Sequence, residues 1–157
     1  MKKKLITLAL DAPISEAHKI MTQKKIRHLP ILGPSGDVLG ILSDRDVMRA
    51  MRPSKEPMAG APVDYDFDPR LRVSDFMSWP VITTTGQTPL LEITRRMVQS
   101  KVSSLLVTDA TGGPAGIVTT EDLLKLLARM LEKEKPAKPV LLGDVITDYQ
   151  FGENHWA

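Results

Sequence analysis

When the sequence is shifted by 76 positions, residues 6–51 lie over residues 82–127 without a gap, and 12 of the 46 aligned pairs are identical. Residue usage alone would give about three. The identities include Pro13/Pro89, Met21/Met97, Lys25/Lys101, Gly40/Gly116 and Asp46/Asp122. An internal repeat constrains the fold more than any other feature, because each copy must form the same supersecondary unit.

Each copy reads as β-α-β-β-α. A short strand is expected at residues 6–8 and 81–83, carrying Thr7 and Thr83. Pro13 and Pro89 then fall in the first turn of a helix, where a missing N–H costs nothing. In that helix Ile14, Ala17 and Met21 recur on one face, matched by Leu90, Ile93 and Met97. Two apolar runs around a Gly- or Pro-containing turn predict hairpins, 28–32 with 38–42 and 104–108 with 115–118. Amphipathic helices over 44–51 and 120–131 close the units. The fold class is therefore α/β of the α+β type, with two tandem repeats packed pseudo-symmetrically. Copy one spans 1–52 and copy two 72–131, joined by a proline-rich connector at 53–71.

After the second copy, residues 132–139 read as a charged, proline-punctuated linker. The tail beyond it holds Tyr149, Phe151 and Trp156, three of the chain's seven aromatics, and is expected to dock on the body or on a partner. With aromatics at 4%, the core must be aliphatic. A net charge of +2 argues against nucleic acid, which calls for a strongly basic face. The absence of cysteine excludes disulfides and thiol chemistry. Met1 to Lys4 resemble a signal-peptide start, but the apolar stretch to Leu10 is too short and ends at Asp11. No run is long enough to span a bilayer, so a cytoplasmic protein is expected.

The segments closing the hairpins carry the most chemistry. Gly40, Ile41, Leu42, Ser43 and Asp46 are matched by Gly116, Ile117, Val118, Thr119 and Asp122. The glycines allow close backbone approach within a strand. The hydroxyls fall where strand gives way to helix, whose N–H groups favour phosphate. A carboxylate three residues on can accept hydrogen bonds from ribose hydroxyls, as acidic residues do in other nucleotide folds. The same spacing is close to a capping box, which only starts a helix. Asp in both copies, where a capping box prefers Glu or Gln, tilts the reading toward a ligand, and the two roles are compatible.

This pattern, with the element order around it, resembles the signature of the CBS (cystathionine β-synthase) domain over residues 1–131. Residues 26–31 before the first hairpin and 73–77 before the second copy resemble the family too. Small stand-alone bacterial proteins of the acetoin-utilisation type are similar. The resemblance implies a non-catalytic regulatory module that senses an adenine nucleotide (AMP, ADP or ATP), S-adenosylmethionine or NAD in inter-repeat clefts, without a catalytic cofactor. It also implies a homodimer through the helices, with aliphatic residues at 123–127 in support, and a protein partner that reads the ligand state. The duplicated halves are expected to face each other, a hydroxyl and a carboxylate from each lining a shared pocket.

The candidate ligand residues are Ser43, Asp46, Thr119 and Asp122, joined by Thr7 and Thr83. Arg27 and His28 stand where basic residues of CBS pairs often touch phosphate, while copy two has Ser103 and Ser104 there. A surface role for Arg27 and His28 stays open, as does a solvated helix face for Arg45, a further phosphate candidate. A structural homodimerisation module with unoccupied clefts is the alternative function. Residues 64–68 begin like a calcium loop, but Pro69 stands where glycine is required, so a loop with scattered acids is expected. His18, His28 and His155 lack metal-ligand spacing, and no nucleophile has a matching base.

Overall fold

The computed structural model describes residues 5–54 and 64–133. The chain divides into two compact units, residues 1–120 and 121–157.

In the first unit both copies build the same three-stranded sheet. Strands β1 (Leu8–Ala9), β2 (His28–Leu32) and β3 (Val38–Ser43) are ordered β1-β2-β3. The first pair is parallel, the second antiparallel with Pro30 opposite Ile41. Helix α1 (Ile14–Lys24) crosses between β1 and β2, and α2 (Asp44–Ala50) follows β3 directly. In copy two, β6 (Thr83–Thr85), β7 (Ser104–Thr108) and β8 (Pro114–Thr119) repeat the topology around α3 (Leu90–Ser100).

The apolar periodicity of the first helix lands as expected, with Ile14, Ala17 and Met21 buried. They pack with Leu29, Ile31, Leu42 and Val47 into an aliphatic core. Copy two buries Ile93, Met97, Leu105 and Leu106. Gly36 and Gly112 hold φ values of 83° and 82° in the two hairpin turns, a conformation glycine adopts at no steric cost. Lys25 and Lys101 end the two crossing helices in the left-handed region, both at φ 53°.

Three expectations shift. Pro13 and Pro89 are N-cap residues in extended backbone, one position before the helix, and their carbonyls accept the N–H of Glu16 and Glu92. The first strand of each copy lies two residues later than expected. Its parallel partner decides this, since Leu8 and Ala9 sit opposite Ile31 and Leu32. Thr7 is left outside the strand, and Val81 and Ile82 precede β6.

The third shift is in the connector. Met51–Pro53 (β4) pairs antiparallel with Tyr65–Phe67 (β5), so the acid-rich stretch is a strand rather than a loop. Asp68 fastens the ribbon, accepting from Arg52 Nη2 at 2.7 Å, Arg70 Nη2 at 2.8 Å and the Arg70 N–H at 2.9 Å. Chiefly through the Arg70 side chain, these donors hold its carboxyl well below the usual carboxylate range. His18 packs its ring 5.3 Å from that of Phe67.

The stretch leading into copy two docks on copy one. Val73 opens a 3-10 turn (Val73–Asp75), is fully buried in the first core, and donates its N–H to Ala12 O. Ser78 exchanges two backbone hydrogen bonds with Ile41, at 2.9 and 3.0 Å. This strap explains Gly40. A Cβ there would run into Met77 Sδ and lie 3.0 Å from Ser78 O. A Cβ on Gly116 meets nothing within 4 Å. The close approach expected of both glycines is therefore present at Gly40 alone.

Helix α4 (Thr120–Lys133) runs to Lys133, so the expected linker begins as helix. Its Leu124, Leu127, Met130 and Leu131 are exposed, and Glu121 and Lys125 pair along it at 2.6 Å. No helix among the described residues is long and apolar enough to cross a membrane. The basic start and the aromatic tail lie outside the described residues.

Candidate functional site

The junction of β3 and α2 forms one wall of an open cavity of about 380 Å³. That size lies within the roughly 300–1,000 Å³ of small-molecule sites. Copy one contributes His28, Ile41, Ser43, Arg45, Asp46 and Arg49. Facing them are Ser78, Pro80, Val81 and Ile82, then Lys101 to Ser104 of copy two. The two extra residues that precede β6 thus become an apolar wall instead of strand.

Ser43 ends β3 and caps α2. Its N–H and hydroxyl both donate to Asp46 Oδ2, at 2.8 and 2.7 Å, and its Oγ accepts the Asp46 N–H at 3.3 Å. The capping box is complete. Arg49 Nη2 donates to the other carboxylate oxygen at 2.6 Å. Asp46 is 8% exposed, yet it still borders the cavity. Each carboxylate oxygen has two acceptor directions, so Oδ1 with its single donor retains capacity for another. Cap and ligand acceptor are thus compatible.

The phosphate role expected of the helix start does not follow. Helix α2 has seven residues, and its early N–H groups are already used. Arg45 N–H donates to Asp44 Oδ1 at 2.9 Å, and Asp46 N–H goes to Ser43. An anion would have to rely on side chains instead.

His28 crosses the cavity between the copies, with Nε2 3.1 Å from Ser103 Oγ. Arg45 also lines the cavity. Arg27 does not; its Nε donates to Asp44 Oδ2 at 2.8 Å, and it borders a separate depression of about 430 Å³ with His18, Met21, Lys25 and Met48. Arg27 stands just before β2, and its pairing with Asp44 keeps it out of the cavity that His28 lines.

Thr7 and Thr83 are not among the lining residues, and Thr83 is exposed, its carbonyl accepting from Arg96 Nη1 at 3.2 Å. Thr119 ends β8 opposite Ser104 in register. Asp122 lies in the first turn of α4 and is exposed. Thr119 does not line this cavity, so the paired motif hydroxyl and carboxylate in its wall, Ser43 and Asp46, are those of copy one.

Sequence reasoning missed Arg49, Lys101 and the wall at residues 80–82. Lys101 carried one faint signal, its identity with Lys25 across the repeat. Chemically, the site joins an apolar slot (Ile41, Val81, Ile82, Val102) to hydroxyls, one carboxylate and several cations. A flat base, a ribose and an anionic group are the matching ligand parts. Among the described residues there is no group of three or more side chains that could hold a metal ion.

A family model described as CBS domain matches residues 1–53 and 73–129. A CBS domain-containing protein of Dictyostelium discoideum is 32% identical over 87% of this chain and 93% of its own. The L-aspartate semialdehyde sulfurtransferase of Methanocaldococcus jannaschii is 28% identical over 80% of this chain, which spans 22% of that enzyme. Among solved structures, the CBS domain pair of protein MJ0100, in complex with 5′-methylthioadenosine and S-adenosyl-L-methionine, superposes with a TM-score of 0.65 at 27% identity. It covers 82% of this chain and 91% of that one.

Proposed function

This chain belongs to the CBS domain family, and we propose that it is a non-catalytic regulatory module that binds an adenosyl ligand in the cavity beside Ser43 and Asp46. The ligand class covers AMP, ADP, ATP, S-adenosylmethionine and NAD. The observation that carries the reading is the cavity itself. An apolar slot and the Ser43–Asp46 pair share one concavity, bounded by both copies. The similar CBS pair that holds adenosyl compounds supports it. The enzyme relative supports a module role as well, since the chain spans only a small part of its length.

Binding between the copies would shift their relative pose, provided the ligand prefers one pose over another. A homodimer through the exposed helix faces, and a protein partner that reads the shift in the cytoplasm, complete the proposal. A second reading, a structural dimerisation module with unoccupied clefts, is favoured by one observation. The Ser43–Asp46 interaction is already complete as a helix cap.

A thermal-shift panel of AMP, ADP, ATP, NAD and S-adenosylmethionine separates the two. A ligand at a hundredfold its dissociation constant adds about 2.7 kcal/mol of stability. Silence across the panel would favour the dimerisation module.

A further inference from the structure

Arg49 touches two parts of the site at once. Its Nη2 donates to Asp46 Oδ1 at 2.6 Å and lies 3.5 Å from Phe76 O, in the strap that leads to Ser78 and the apolar wall. Asp46 and Arg49 are three residues apart on α2, a spacing that makes helix side chains neighbours. The pairing makes the two carboxylate oxygens unequal. Oδ2 accepts both Ser43 donors, at 2.8 and 2.7 Å, and its two acceptor directions are filled. Oδ1 accepts Arg49 along one direction and keeps the other for the cavity that Asp46 borders. Copy two holds its cation differently. Lys125 stands in the place of Arg49 and Glu121 in that of Arg45, and these two pair with each other at 2.6 Å. In copy one position 45 is itself a cation, so the guanidinium turns to Asp46 instead.

We infer that Arg49 is a positioning residue for ribose recognition, fixing the Asp46 carboxylate so that Oδ1 meets the ribose hydroxyls of a bound adenosyl compound. The inference rests on the adenosyl-site reading above and adds to it a residue that acts through another. Ser43 holds one oxygen of the carboxylate, whereas Ser43 and Arg49 together hold both. A guanidinium suits the task because its N–H groups form a rigid planar fork, while a lysine ammonium is a mobile point charge. The cap of α2 depends on Ser43 and Asp46, and Arg49 stands outside it, so its loss leaves the helix start in place. The Arg49 side chain is 66% exposed, so truncation opens no hole in the core.

The test is calorimetric titration of the full chain with AMP and with 2′,3′-dideoxy-AMP, which share base and phosphate and differ in the two hydroxyls. The parent should prefer AMP by roughly tenfold or more, as expected of hydrogen bonds to a charged acceptor. Arg49→Gln should cut that preference to about threefold or less while holding dideoxy-AMP affinity within about threefold of the parent, which also reports an intact fold. Arg49→Lys should restore part of the preference, since a cation again reaches Oδ1. Arg52→Gln, which removes an arginine paired with Asp68 outside the lining residues, should leave it in place. A preference that survives Arg49→Gln would overturn the inference and leave the adenosyl site standing. So would an equal loss of both compounds in that variant, the mark of a merely structural role. Equal binding of the two by the parent would remove ribose recognition at Asp46, and the inference with it. Binding of neither would remove AMP from the cavity and undo both readings for that ligand.

Discussion

His28 Nε2 lies 3.1 Å from Ser103 Oγ, and Ser103 is the residue that copy two places where copy one has Arg27. The contact therefore ties neighbouring repeat positions together across the cavity, one as an imidazole and the other as a hydroxyl. Divergence at this pair makes the wall of the site asymmetric. A double-mutant cycle of His28→Ala and Ser103→Ala, followed by urea unfolding, should give a coupling of about 0.5–1.5 kcal/mol. Strictly additive losses would mean that the two side chains do not act together.

The Ser43–Asp46 cap predicts a stability cost independent of any ligand. Ser43→Ala and Asp46→Ala should each lower the unfolding free energy by about 1 kcal/mol. Because both substitutions dismantle the same capping box, the double variant should lose clearly less than the sum. Asp46→Ala also leaves Arg49 without its 2.6 Å partner. Unfolding midpoints unchanged from the parent would contradict the cap.

The two glycines of the repeated motif should respond differently to the same substitution. Gly40→Ala must displace Met77 or the Ser78 carbonyl 3.0 Å away, at a cost of about 1–3 kcal/mol. Gly116→Ala faces open space and should stay within about 0.5 kcal/mol of the parent. Equal effects in thermal unfolding would place the strap of residues 77–78 elsewhere.

Asp68 makes the β4–β5 ribbon sensitive to acid. The Arg70 side chain first, then its N–H, and Arg52 hold the folded carboxyl below its unfolded value of roughly 3.9. A depressed folded value means that the stabilisation is fully present above the unfolded value and fades as the pH falls toward the folded one. Asp68→Asn should thus be less stable than the parent at pH 7, with the gap closing below about pH 4. A gap that stays constant from pH 7 into acid would rule out the ionised role of Asp68.

The repeat made much of this fold legible. Paired offsets located both hairpins and both crossing helices, because turn glycines and the apolar stripe are local signals. Ser43 and Asp46 were legible for the same reason, as they lie three residues apart at a strand–helix boundary. What escaped depends on distant pairing. Residues 6–7 and 81–82 look as strand-like as Leu8 or Thr84, and only the registers Leu8–Ile31 and Thr83–Leu106 decide where the strands begin. Strand β5 forms because Tyr65 meets Pro53 across a long connection, which no local periodicity reveals. Lys101 enters the site through the contact between the copies, and Arg27 leaves it through its pairing with Asp44.

Backbone amide shifts recorded while the chain is titrated with AMP show whether an adenosyl ligand sits in the cavity beside Ser43 and Asp46. Perturbations should concentrate at residues 41–46, at Ser78, Val81 and Ile82, and at residues 101–104, with Thr22, Arg27 and Met48 unmoved. Perturbations gathered around Thr22, Arg27 and Met48, or none from any adenosyl compound at saturating concentration, would contradict that placement.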